Sequence, residues 1–214
     1  MKKISKEELK EKLELHKKWL NNEKGGVRLN LSYTDLTNAN LYEVNLEGGD
    51  LSYADLSYTN LTNANLSYTE LYEANLYETN LKGANLSYAD LNNAKLNNIK
   101  YNHLTSFLAL QCPEEGSFIG FKKANGKIVK LLVMEDSLRS SATSRKCRCS
   151  KAKVLSITSL DNKKSFDKTE SDYDKNFIYE VGKIVEVKDF DKNRWDECSV
   201  GIHFFITREE AVNY

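Results

Sequence analysis

The sequence predicts a mainly β protein in two parts: a solenoid of short coils opened by a capping α-helix, and a small α+β domain behind it. Three observations carry this. Leucine recurs at every fifth residue through the middle of the chain, a lysine-rich amphipathic segment precedes that array, and hairpin and strand patterns replace it from Ser117 onward. The expected divisions are a capping helix at 1–22, the array at 23–101, a cap and connector at 102–116 and the α+β domain at 117–214.

In residues 1–22, Leu9, Leu13, His16 and Leu20 follow helical spacing beside Trp19. Ser5 and Glu8 have the form of a capping box, and Asn21, Asn22, Gly25 and Gly26 supply the stop. The expected role is to lay the apolar face over the first coil, with His16 as a helix-face residue rather than a ligand. A partner-binding helix is the rival reading.

The array runs through Leu31, Leu36, Leu41, Leu46, Leu51, Leu56, Leu61, Leu66, Leu71, Leu76, Leu81, Leu86, Leu91 and Leu96. Small or slim residues such as Ala39, Gly49, Ala54, Thr59 and Ala64 stand two places before each leucine; Asn or Asp stands just before it, with Glu70 and Lys95 as departures. A fixed period of this kind takes precedence over any other pattern. A period of five drifts off one face of a helix and flips sides on a flat strand, so it fits neither alone. The conflict is removed if the chain bends after each unit, leaving the leucine and the small residue directed at a common axis. Coils then stack about 4.8 Å apart, and their open ends need caps.

Units such as Ala39-Asn40-Leu41-Tyr42-Glu43 and Ala54-Asp55-Leu56-Ser57-Tyr58 resemble the pentapeptide-repeat proteins, whose pattern is Ala, Asp or Asn, Leu and two variable residues. The resemblance implies a right-handed quadrilateral β-helix with four repeats per coil. Residues twenty apart would then lie over one another, pairing Tyr33 with Tyr53, Tyr68 with Tyr88 and Asp35 with Asp55, and setting Asp50, Glu70 and Asp90 in one column. Some members of the family are DNA mimics that bind DNA gyrase. Residues 31–100 hold nine carboxylates against three lysines, a charge of about −6 between basic flanks of about +4 and +2. That acidic block is either a solvated coat or a surface resembling a nucleic-acid backbone. One array spans about 17 Å, half of a DNA turn of about 34 Å, so the mimic reading requires a dimer.

The repeat fades after Leu96: Ile99 and Tyr101 still hold inward positions, Ser106 falls where a leucine should be, and Pro113 with Gly116 marks a boundary. Beyond it, Phe118 to Lys122 and Lys127 to Met134 form a hairpin pattern around Asn125-Gly126. Further strands are expected at Lys153 to Thr158, Phe177 to Val181, Lys183 to Val187 and Gly201 to Ile206, and Thr207 to Glu210 reads as the cap of a short helix. Arg139 to Lys153 and Trp195 to Phe205 are similar to a domain of unknown function found C-terminal to pentapeptide repeats in bacterial and phage-encoded proteins. That resemblance implies no activity.

Three constellations in this domain have chemical potential. Cys147, Cys149, Cys198 and His203 are candidate zinc ligands, against the plainer reading of buried free thiols. The same cysteines with His203 could form a nucleophilic pair, although no orienting residue can be assigned. Arg139, Arg145, Lys146, Arg148, Lys151 and Lys153, interleaved with hydroxyls, are a candidate phosphate or partner patch. A solvated basic loop is the alternative.

No apolar run reaches the roughly 20 residues of a membrane span, no signal-peptide pattern opens the chain, and the four cysteines, Cys112 included, suit a reducing compartment. The expectation is a cytoplasmic, non-enzymatic interaction or scaffold protein without a cofactor, self-associating, with an unnamed protein partner and no membrane association. The alternatives are a DNA-mimic binder of an enzyme such as gyrase, or a C-terminal domain that is a small enzyme or a phosphate or nucleic-acid binder, with Arg139, Arg145, Arg148, Cys147 and His203 as its candidates.

Overall fold

Backbone hydrogen bonding explains why the array is built in fives. In the computed structural model, which describes residues 1–214, all five amides of the unit around Leu56 have acceptors. Leu56 N donates to Asn75 O at 2.8 Å and Tyr58 N to Tyr77 O at 2.9 Å, both in the following coil; Asn60 N donates back to Ala39 O at 3.0 Å. Thr59 N closes a turn on Leu56 O at 3.1 Å. The remaining amide, Ser57 N, donates to the Asp55 side chain at 3.0 Å. No buried donor is left over, which is the condition for a stable stack.

This pattern gives the Asn or Asp position its chemistry. A short side-chain oxygen folds back to the amide two residues on, as Asp35 does to Thr37, Asn65 to Ser67 and Asn85 to Ser87. Glu70 is one methylene too long for that loop, and its carboxylate instead meets Arg28 at 2.5 Å. The turn has positive φ only at its third residue, +59° at Tyr58 and +61° at Asn38, the mark of a type II turn.

Parallel bridges link residues twenty apart in four columns, one running Asn30, Asp50, Glu70, Asp90 and another Asp35, Asp55, Asn75, Lys95. The thirteen leucines from Leu31 to Leu91 are at most 2% exposed, and Leu96 is partly buried. Ala54, Ala64, Ala74 and Ala84 are buried beside them. The threonines that replace alanine send their hydroxyls to the preceding coil, as Thr69 Oγ1 does to Leu46 O at 3.1 Å.

The N-terminal end of the stack is covered. Strand β1 (Lys2–Lys3) pairs in parallel with β2 (Thr34–Asp35), and helix α1 (Lys6–Leu20) follows. Ser5 accepts from Glu8 N, but the reciprocal half of the expected box is not formed, because the Glu8 carboxylate takes Lys2 at 2.7 Å. His16 is fully buried and its Nδ1 accepts the Leu29 amide at 3.1 Å, while Lys12 Nζ reaches Asn30 O at 3.3 Å. At Gly26 a Cβ would lie 2.4 Å from Trp19 N, so only glycine lets the chain return under the helix end.

At the other end the register changes. The last bridge joins Asn85 to Ser106, twenty-one residues apart, so Ser106 takes an Asn/Asp column position rather than a leucine slot. Tyr101, expected inward, is 57% exposed, since the leucine column has ended and no further coil covers its ring.

The chain divides into two compact units, Met1–Ala109 and Leu110–Tyr214. In the second unit, β3 (Phe118–Ala124) and β4 (Lys127–Val133) form the hairpin, with Asn125 and Gly126 both at positive φ, as a type I′ turn demands. They continue into β7 (Lys151–Ser159) and β11 (Ile184–Glu186), with β8 (Ser165–Phe166) also on β7. The segment read as a phosphate or partner patch, with a solvated basic loop as the alternative, supplies β5 (Arg139–Ser141) and β6 (Cys147–Cys149), which join β12 (Ile202–Phe204) in a three-stranded sheet. A ribbon of β9 (Lys168–Glu170) and β10 (Ile178–Glu180) and helix α2 (Arg208–Asn213), closed by a full capping box of Thr207 and Glu210, complete the unit. Its core gathers Val129, Leu131, Val133, Cys147, Cys149, Val154, Ile202 and Phe204.

Candidate functional sites

On the array, side chains twenty or nineteen apart form outward columns. Tyr33 stacks on Tyr53 with centroids 4.6 Å apart, and Tyr53 meets Tyr72 edge-on at 5.5 Å. Tyr58 meets Tyr77 in the same way at 5.6 Å. Along the coil, Asp35, Asp55 and Asn75 lie between these two tyrosine columns, with Asn75 Nδ2 donating to Asp55 Oδ1 at 3.0 Å. A third column stacks Tyr68 on Tyr88 at 4.9 Å. Tyr33, Tyr58, Tyr68 and Tyr88 are each at least half exposed. Turn geometry places them there, because their Cα atoms hold the left-handed corner positions, with φ between 55° and 59°. Asp35 has its carboxyl held below the usual range by hydrogen bonds from Thr37.

The six basic residues of the expected patch are not brought together as a phosphate site. Arg139 spends its guanidinium on the carbonyls of Pro113, Gly116, Met134 and Glu135. Arg148 is 1% exposed and donates to Asp191 O, Val200 O and Asn193 O, with Phe190 beneath it at 5.3 Å. Arg145 pairs with Glu210 at 2.7 Å, Lys146 with Glu197 at 3.5 Å, and Lys151 with Asp136. Lys153 is exposed on β7. Their places on β5 and β6 turn Arg139 and Arg148 onto irregular segments whose carbonyls need donors, so these two clamp loops instead of forming a phosphate site.

The four metal candidates also separate. Antiparallel pairing sets Arg148 opposite His203, and Cys147 and Cys149 opposite Phe204 and Ile202. Cys147 and Cys149 therefore point into the core, and His203 points to the other face. Cys198 is exposed, all four cysteines are free thiols, and no group of three metal-ligating residues converges. Burial pushes the Cys149 thiol up to about 12, which keeps it protonated. A nucleophilic pairing of Cys147 with His203 is excluded by the same geometry.

A different cluster does form. A cavity of about 850 Å³ in the second unit is lined by Lys122, Lys146, Tyr179, Cys198, His203 and Tyr214, among others. Lys122 is 7% exposed on the core-facing side of β3, opposite Val129. Burial lowers its pKa; Asp172 opposes that shift and Lys146 adds to it. Lys146 Nζ lies 3.6 Å from Cys198 Sγ and 5.6 Å from the centre of the Tyr214 ring. His203 Nε2 is 3.1 Å from Glu197 O. Its pKa falls to about 4 through burial and the neighbouring cations Lys122, Lys146 and Arg148, so the imidazole is neutral. Of this cluster, the sequence reading singled out Lys146, Cys198 and His203 but missed Lys122. The sequence carried no clear signal for it, because Ile119 and Phe121 are as apolar as Phe118 and Gly120; the burial of residues 120, 122 and 124 is what places Lys122 inward.

The family model for pentapeptide repeats, in eight copies, matches residues 30–67 and 59–98, and that of a family of unknown function, DUF5758, matches residues 108–211. Comparison with curated proteins finds no match. Among solved structures, a pentapeptide repeat protein from Nostoc is 30% identical over 43% of this chain and 80% of its own, with a TM-score of 0.18. Another, from the Arabidopsis thaliana thylakoid lumen, is 27% identical over 33% of this chain and 49% of its own, with a TM-score of 0.33. The match thus spans about half the length of the latter. No helix is long and apolar enough to cross a membrane.

Proposed function

Because the chain belongs to the pentapeptide-repeat proteins, we propose that it is a non-enzymatic interaction or scaffold protein whose array presents the recognition face. The observation that carries this is the column Asp35, Asp55, Asn75 flanked by the tyrosines at 33, 53 and 72 and at 58 and 77. Tyrosines packed ring against ring, with Tyr33 and Tyr58 at least half exposed, offer rigid contact area with a polar tip, and such residues dominate binding energy at interfaces. Carboxylates between them select a partner that carries cations. We take the array to be a right-handed, four-sided β-helix working in the cytoplasm, where four free thiols persist.

Two features favour this reading over imitation of duplex DNA before gyrase. The column from Asn30 to Asp90 is four layers deep, about 14 Å, against about 34 Å for a DNA turn. In addition, β1 and α1 occupy the N-terminal end, where a head-to-head dimer would have to extend the stack.

Affinity capture from host lysate, with cross-linking and light scattering, tests the reading. The full chain should retain a protein partner, a second copy included, that Tyr53→Ala/Tyr58→Ala loses and Tyr68→Ala/Tyr88→Ala keeps. Equal capture by both double variants, or none by the parent, contradicts it.

A further inference from the structure

Lys122 breaks the pattern of its own strand. Its neighbours on that face, Gly120 and Ala124, and the residues facing them on β4, Val129 and Leu131, belong to an apolar interior. A lysine placed there loses hydration, and no carboxylate stands within ion-pair distance to replace it. Asp172 is the acid whose field reaches it, yet the Asp172 Oδ1 is engaged by the Asn125 amide at 2.7 Å. A second ammonium, Lys146, is 8% exposed in the same cavity; it is paired with Glu197 at 3.5 Å, and its charge repels that of Lys122, which has no such partner. Residues that violate local consistency in this way mark functional positions, because an uncompensated buried charge only destabilises the empty fold.

We propose that the cavity in the second unit binds a small organic anion, its phosphate or carboxylate seated between Lys122 and Lys146 and its flat apolar body against Phe177, Tyr179 and Phe205. The volume of about 850 Å³ is within the range of small-molecule sites. The aromatic walls supply the apolar surface such sites need, and the two lysines supply the cations that orient an anion, while Asp172 and Asp174, also in the lining, limit where it can sit. His203, neutral and tied to the Glu197 carbonyl, shapes the floor without adding charge. Cys198, exposed and 3.6 Å from Lys146, sits at the rim where an occupant would cover it. The site is independent of the tyrosine-flanked face of the array.

The test uses the full chain with three probes: adenosine monophosphate, uncharged adenosine, and the fluorescent anion anilinonaphthalene sulfonate. At least one anion should bind with Kd below about 1 mM, bind about tenfold or more tighter than adenosine, and slow alkylation of Cys198. Lys122→Met should weaken that anion about tenfold or more while its melting temperature stays level or rises, because a buried charge is replaced by an apolar chain of similar volume. Circular dichroism checks that the variant is folded, and Lys146→Met offers the same comparison should Lys122→Met not fold. Absence of binding by both anions, equal affinity for either anion in parent and variant, or a Cys198 alkylation rate unmoved by a bound anion overturns the proposal.

Discussion

Thr69 donates its hydroxyl to the carbonyl of Leu46, twenty-three residues earlier, at 3.1 Å, and the bond recurs from Thr59 to Leu36 at 2.9 Å and from Thr79 to Leu56 at 2.7 Å. Each ties a coil to the one before it through a side chain that is at most 1% exposed. Leu46 O also accepts the Gly49 amide at 2.9 Å, so it is not orphaned when the hydroxyl is lost. Thr69→Val keeps the shape and deletes the donor, and chemical denaturation should show a loss of about 1 kcal/mol. A variant as stable as the parent would mean that the hydroxyls contribute nothing to the stack.

Arg148 predicts a larger effect. Its fork holds three carbonyls of residues 191–200, and Gly201 packs against it, with a Cβ there only 3.2 Å from the Arg148 Cβ. Lysine keeps the charge but cannot reproduce the planar fork. Arg148→Lys should therefore destabilise the second unit by about 3 kcal/mol, measured by thermal or urea unfolding, while the melting of the array is left in place. A loss below about 0.5 kcal/mol, the scale of a plain surface exchange, contradicts the clamp.

Stability of the second unit should also depend on pH through His203. Its pKa falls from 6.5 to about 4 on folding, through burial first and then through Lys122, Lys146 and Arg148. The unfolded chain binds the proton more readily, so the stabilisation is fully present above pH 6.5 and is lost as pH falls through the folded value near 4. The difference is about 2–3 kcal/mol after allowing for partial exposure. Unfolding measured across this window should show that slope, and His203→Gln should flatten it. Parallel profiles for parent and variant would contradict the assignment.

The array was legible because its signal is redundant: fourteen leucines at fixed spacing tolerate the exceptions at Glu70 and Lys95 without losing the period. The Asn/Asp position was visible as a pattern, but its reason, the amide two residues on, needed the turn geometry. The one-residue insertion before Ser106 escaped notice because a single extra residue is hidden once the leucines stop. In the second unit, Asn125-Gly126 announced its hairpin and Thr207 with Glu210 its helix, since both signals are local. β5 and β6 were missed because Arg139 and Arg148 read as solvent-facing charges, whereas their partners are carbonyls scattered up to 52 residues away. The cavity depends on the same kind of distant contact, so composition grouped Lys146 with neighbours in sequence and left out Lys122, which lines the same cavity.

The chain completes one coil every twenty residues, and cysteine cross-linking tests this most directly. In a Cys198→Ser background, Asn60→Cys/Asn80→Cys places two thiols on bridged neighbours, while Asn60→Cys/Asn75→Cys places them in different columns. A short bifunctional thiol reagent should join the first pair rapidly within the folded monomer and leave the second unjoined. Equal cross-linking of the two pairs, or preference for the second, would contradict the coil.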